Sequence, residues 1–69
     1  MQEFELTKND YIELNKLMKI LDWVGSGGEA NIMITEGEVI VNGEVEMRKR
    51  KKIRKGDIIE FADNKATIK

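Results

Sequence analysis

The sequence predicts a small α+β domain, with two helices packed on one face of a small antiparallel sheet. Three observations predict it. Apolar residues recur at helical spacing in the first third of the chain. A serine-capped segment that stops at a glycine follows them. The second half alternates apolar and polar residues around turn dipeptides. With 69 residues the chain holds one domain at most, spanning residues 1–69.

Glu3-Phe4-Glu5-Leu6 alternates polar and apolar, so Phe4 and Leu6 suit a short strand. Thr7 is placed to cap the next helix, with Asp10 favouring its N-terminal dipole. Tyr11, Leu14, Leu17, Met18 and Leu21 form the apolar stripe of a first helix over about 9–21. Lys16 and Lys19 fall off that stripe and read as surface residues, and the glycines at 25, 27 and 28 break the helix. Trp23 reads as half-buried packing. Ser26 and Glu29 make a capping-box pattern for a second helix over about 27–36. Ala30, Met33 and Ile34 are its inner face, and Gly37 suits its left-handed stop.

Asn42-Gly43 signals a hairpin whose register the sequence leaves open. A strict two-residue turn pairs Ile40 with Val45 but sets Glu44 and Glu46 on the face of Val39 and Val41. A wider loop aligns Val39 and Val41 with Val45 and Met47 instead. Lys55-Gly56-Asp57 reads as a turn. A tight turn at Asp63-Asn64 then pairs Phe61 with Ala66 and Ile59 with Ile68.

The chain has no Cys and no His, which removes disulfides, thiolate and imidazole metal sites, thiol chemistry and imidazole acid–base chemistry. Its carboxylates are too dispersed to nominate an acid–base pair, so we expect no enzyme, no metal and no cofactor. No apolar run approaches the ~18 residues of a membrane span. The opening residues lack the profile of a signal peptide. The expectation is a soluble, cytoplasmic monomer.

Charge distribution is more informative than the net charge of −1. Residues 1–47 carry ten acids against three lysines. Residues 48–55 then carry seven bases in eight positions: Arg48, Lys49, Arg50, Lys51, Lys52, Arg54 and Lys55. Arginine offers phosphate a planar fork and lysine a mobile point charge, so this run is the candidate RNA-binding strip. Ile53, its single break, offers an anchor to the core. The backbone N–H groups of Gly27 and Gly28, with that of Glu29, form a second candidate anion site at the helix start, for which the Glu29 carboxylate competes. Asn31 is placed to bond a base edge or ribose. No ladder of aromatics is present for stacking successive bases, which favours shape and backbone readout of structured RNA. An acidic protein partner or duplex DNA would use the same charges.

From Ser26 onward the pattern resembles the S4 RNA-binding domain. Gly37 ends a capped short helix, Val39-Ile40-Val41-Asn42-Gly43 follows, and Gly56-Asp57-Ile58-Ile59 comes after a basic segment. The likeness extends over about 11–61 and is greatest to small, free-standing bacterial proteins of this kind. It implies an S4-like alpha-L motif that binds ribosomal RNA or an assembling ribosome. The family pattern is often basic where this chain has Glu13, Gly27 and Asn31, so its helical RNA contacts do not carry over and the basic loop takes more of the binding.

Overall fold

A computed structural model describes all residues 1–69. Five strands form a sheet in the order β1-β7-β6-β3-β4, and a separate two-stranded ribbon pairs β2 with β5. The strands are β1 (Gln2–Phe4), β2 (Tyr11–Glu13), β3 (Val39–Val41), β4 (Glu44–Val45), β5 (Lys52–Arg54), β6 (Ile58–Phe61) and β7 (Asn64–Ile68). The helices are α1 (Leu14–Ile20) and α2 (Gly27–Thr35). Leu14, Leu17 and Met18 of α1, Ala30 and Ile34 of α2, and Val39, Ile53, Ile59 and Ile68 from the strands bury together in one core. Trp23 is half-buried at its margin, stacked on Phe61 with ring centroids 6.4 Å apart. No helix is long and apolar enough to cross a membrane.

The α+β architecture is as expected, with two differences: β2 and β5 form a ribbon apart from the main sheet, and that sheet is not purely antiparallel. The sheet is mixed, because β1 runs parallel to β7, with Phe4 opposite Ile68. The second helix also forms as read. Ser26 Oγ accepts from the Glu29 N–H at 3.1 Å, and the Glu29 carboxylate accepts from the Gly25 N–H at 2.9 Å. Gly37, at φ +80°, closes α2 with its N–H on the Ile34 carbonyl and the Glu38 N–H on that of Met33. Met18 is fully buried, whereas Met33 is only partly so.

Three local expectations are corrected. The first helix begins at Leu14, with Glu13 at its N-cap, so Thr7 caps nothing and Tyr11 lies in a strand. Leu14, Leu17 and Met18 are the buried residues of α1 and Leu21, its C-cap, packs beside them, whereas Tyr11 matched their spacing by coincidence. The helix also ends before the glycines. Asp22 takes the left-handed conformation at φ 62°, and the Trp23 N–H bonds back to the Met18 carbonyl. In the terminal hairpin the turn is Ala62-Asp63, so Ile59 pairs with Ala66 and Phe61 with Asn64. That is a slip of two residues from the expected pairing, and a slip of two leaves every side chain on its original face.

The open register at Asn42-Gly43 closes on the strict turn. Both residues have positive φ, 52° and 84°, and Ile40 pairs with Val45. The consequence foreseen for that choice follows: Glu46 sits opposite Val39, with its N–H on the Val39 carbonyl, and is largely buried.

Candidate nucleic-acid interface

The basic run, expected as a loop, is a loop only over residues 48–51; Ile53 roots Lys52–Arg54 as a strand, and Lys55 begins the turn that follows. Lys52-Ile53-Arg54 is β5, paired antiparallel with β2 so that Ile53 meets Ile12, Arg54 meets Tyr11 and Lys52 meets Glu13. Ile53 is fully buried while Lys52 and Arg54 are exposed, as alternation on a half-buried ribbon requires. The preceding loop is fixed by the start of α1. Its first two free N–H groups, of Leu14 and Asn15, donate to the carbonyls of Lys51 and Lys49 at 2.9 and 3.1 Å. After β5, Asp57 accepts from the Arg54 N–H at 2.8 Å and from Asn42 Nδ2 at 3.0 Å, while Asn42 Oδ1 accepts from the Ile58 N–H. The Asn-Gly and Gly-Asp signatures are therefore one structural tie that joins the β3–β4 turn to the end of the basic strand.

These constraints bring Arg48, Arg50, Lys51, Lys52 and Arg54 around one open concavity of about 500 Å³ with no other lining residue. The Arg48 guanidinium is engaged: its Nε and Nη2 donate to the two Glu46 carboxylate oxygens at 2.9 and 3.0 Å, and its N–H donates to the same carboxylate. These bonds hold Glu46 below the usual carboxylate range, against the upward push of burial, and raise Arg48. None of the other four lining side chains is in an ion pair. Lys52 Nζ and Arg54 Cζ instead lie 4.9 and 5.5 Å from the centroid of the Tyr11 ring.

The remaining candidates separate. Lys49 is exposed outside the concavity, and Lys55 borders a different depression beside Leu6–Asp10. Asn31 Oδ1 accepts from Asn15 Nδ2 at 3.0 Å, which places Asn31 against the same helix start that holds the loop. Gly27 and Gly28 open α2, but the Ser26 hydroxyl and Glu29 carboxylate already occupy that end, and no hydrogen bond ties it to the basic strip. Two residues of the site escaped the sequence reading. Tyr11 was hidden in an apparent helical stripe. The signal that could have found it is the polar–apolar–polar pattern of Lys52-Ile53-Arg54, which calls for a strand partner such as Tyr11-Ile12-Glu13. Glu46 could have been found by asking which base satisfies an inward carboxylate.

Comparison with known proteins gives consistent matches. The family model described as S4 domain matches residues 4–69. A protein of Escherichia coli (strain K12) named "Putative RNA-binding protein YbcJ" is 43% identical over 68 residues, covering 99% of this chain and 97% of that protein. "Probable ribosome maturation protein RlbA" of Bacillus subtilis (strain 168) is 37% identical over 52 residues, 75% of this chain and 73% of that one. The solution structure of YbcJ from E. coli, described as revealing an alpha-L motif involved in RNA binding, superposes with a TM-score of 0.75 over 99% of this chain and 86% of that one.

Proposed function

This chain belongs to the S4 domain family, and from that premise we propose that it is a non-catalytic RNA-binding module that grips the phosphates of a structured RNA, foremost ribosomal RNA or a ribosomal particle. The observation that carries the reading is the convergence of five cationic side chains on one concavity whose backbone is fixed at both ends. A charge cluster on a disordered tail would attract polyanions without holding a shape; this one is mounted on a strand anchored by Ile53. Arg50, Lys51, Lys52 and Arg54 are the principal contacts. Arg48 contributes one face of a guanidinium already shared with Glu46. Asn31, Lys49 and Lys55 extend the surface beyond the concavity, and Gly27 and Gly28 add to it only where a phosphate displaces the Glu29 carboxylate from the helix start. The names of the relatives support RNA, and that of the B. subtilis protein supports a role in ribosome maturation.

The test is the salt dependence of binding to ribosomal RNA fragments, measured by fluorescence anisotropy. Four phosphate contacts give a log–log slope of about −3 to −4, and each contact removed flattens it by about 0.7–0.9. Arg50→Ala with Lys52→Ala, both exposed and outside any ion pair, flattens the slope by about 1.5. A flat response in the wild-type protein overturns the reading. Equal or tighter binding to duplex DNA at the same salt would assign the surface to DNA, and an acidic protein that RNA fails to displace would assign it to protein.

A further inference from the structure

We infer that Tyr11 forms a stacking site for one unpaired nucleobase at the edge of the basic concavity, so that the protein reads a bulged or looped-out nucleotide beside the backbone it grips. The inference rests on the RNA-binding reading and adds what that reading lacks, a contact to a base.

Four observations carry it. Tyr11 is separate from the other aromatics: Trp23 and Phe61 stack on each other and Phe4 packs against the core, whereas Tyr11 is half-buried on the exposed face of the β2–β5 ribbon. Two cations of the concavity, Lys52 Nζ and Arg54 Cζ, lie over its ring at 4.9 and 5.5 Å, so in turning to a phosphate they uncover the ring to that phosphate's own nucleoside. Tyr11 also borders a second concavity, of about 280 Å³, together with Asn9, Ile12, Glu13 and Lys16. That concavity suits a base better than a phosphate. The Lys16 ammonium there is already paired with the Glu13 carboxylate at 3.9 Å and so holds a phosphate poorly, while Glu13 accepts from the amino group of a base and the Asn9 amide matches base-edge donors and acceptors. One ring cannot stack a run of bases in the manner of a sheet lined with aromatics, so the site takes a single nucleotide extruded from otherwise paired RNA.

The experiment compares the full chain with Tyr11→Leu and Tyr11→Phe on two RNA hairpins of the same stem, one fully paired and one carrying a single bulged 2-aminopurine. Circular dichroism confirms that each variant is folded, and Tyr11→Phe keeps the ring if the leucine variant is not. Stacking of a base on an aromatic side chain predicts that Tyr11→Leu loses about tenfold in affinity for the bulged hairpin and little for the paired one. Wild type and Tyr11→Phe quench 2-aminopurine fluorescence on binding, and Tyr11→Leu does not. Equal loss on both hairpins overturns the site and leaves Tyr11 as a support for Lys52 and Arg54. Unchanged affinity, or quenching independent of the ring, overturns it as well. If the wild-type protein binds neither these hairpins nor ribosomal RNA fragments with any salt dependence, the RNA reading itself fails. Binding to the paired hairpin with no gain or quenching at the bulge removes the stacking site alone.

Discussion

Glu46 is the acid that folding draws inward, and Arg48 supplies the partner that lets it stay charged there. Its side chain is only 11% exposed, while that of Arg48 is 71% exposed. The guanidinium therefore reaches back from solvent to close the carboxylate with two parallel bonds. The pair sets the posture of the first arginine of the basic run and lowers the charge that this arginine presents to a phosphate. It also gives the fold an acid sensitivity whose sign is fixed. A carboxylate held below its unfolded value contributes stability that is present above that value and lost as pH falls through the folded one. Wild-type stability should fall on acidification below about pH 5. Glu46→Gln, which cannot ionise, should have a lower urea midpoint at pH 7 and a shallower decline toward about pH 3. Urea denaturation of both proteins across that range checks this, and parallel curves would show that the ion pair adds nothing to stability.

The β2–β5 ribbon is the element on which the candidate site depends. Ile53 is fully buried and faces Ile12, so a single side chain roots the strand that carries Lys52 and Arg54. Replacing Ile53 by Ala should cost about 2–5 kcal/mol, against a total of about 3–10 kcal/mol for a domain of this length. Chemical denaturation should show a lower midpoint with an unchanged slope. A loss under about 1 kcal/mol would mean that the ribbon can leave the core without consequence. The same ribbon marks where the sequence stopped being legible. The helix α2 was readable because its determinants are local: Ser26, Glu29 and Gly37 lie within a dozen residues and each acts on its neighbours. The strand β2 was not, since three residues are too few to declare a period and its partner lies some forty positions away. The parallel pairing of β1 with β7 is more remote still. The hairpin at Asn42-Gly43 shows a third case. Turn chemistry and hydrophobic pattern disagreed, and the turn prevailed because Arg48 could satisfy the inward Glu46. Of the candidate site, the charges were visible and their platform was not. Nothing in the run of bases distinguishes Lys49 and Lys55, which do not line the concavity, from the five that do.

Across the whole molecule, seven of the twelve bases fall in one eight-residue run of a chain that is acidic by composition. Net charge is −1 and the sequence pI about 5.4, yet five bases line one concavity and only Arg48 among them is neutralised by an ion pair. The acids that do approach the run are already engaged: Glu46 closes on Arg48, Glu13 pairs with Lys16, and Asp57 accepts from the Arg54 N–H. The molecule measures 28 × 22 × 18 Å, and the screening length at 0.1 M salt is about 10 Å. A polyanion at the concavity is thus screened from acids on the far side and meets a local surface that its net charge would not suggest. Chromatography on immobilised heparin, a sulfated polyanion, at pH 7.5 and 0.1 M salt separates the two descriptions. A protein governed by net charge passes through the column. This one should be retained and should elute on raising the salt. Arg50→Ala with Lys52→Ala should elute much earlier, although it alters the net charge by only two, whereas removing two of the exposed lysines outside the strip, Lys8 and Lys65, should leave elution nearly unchanged. Passage of the wild-type protein, or equal shifts for the two double variants, would show that the acids quench the basic surface and that no localised polyanion site exists.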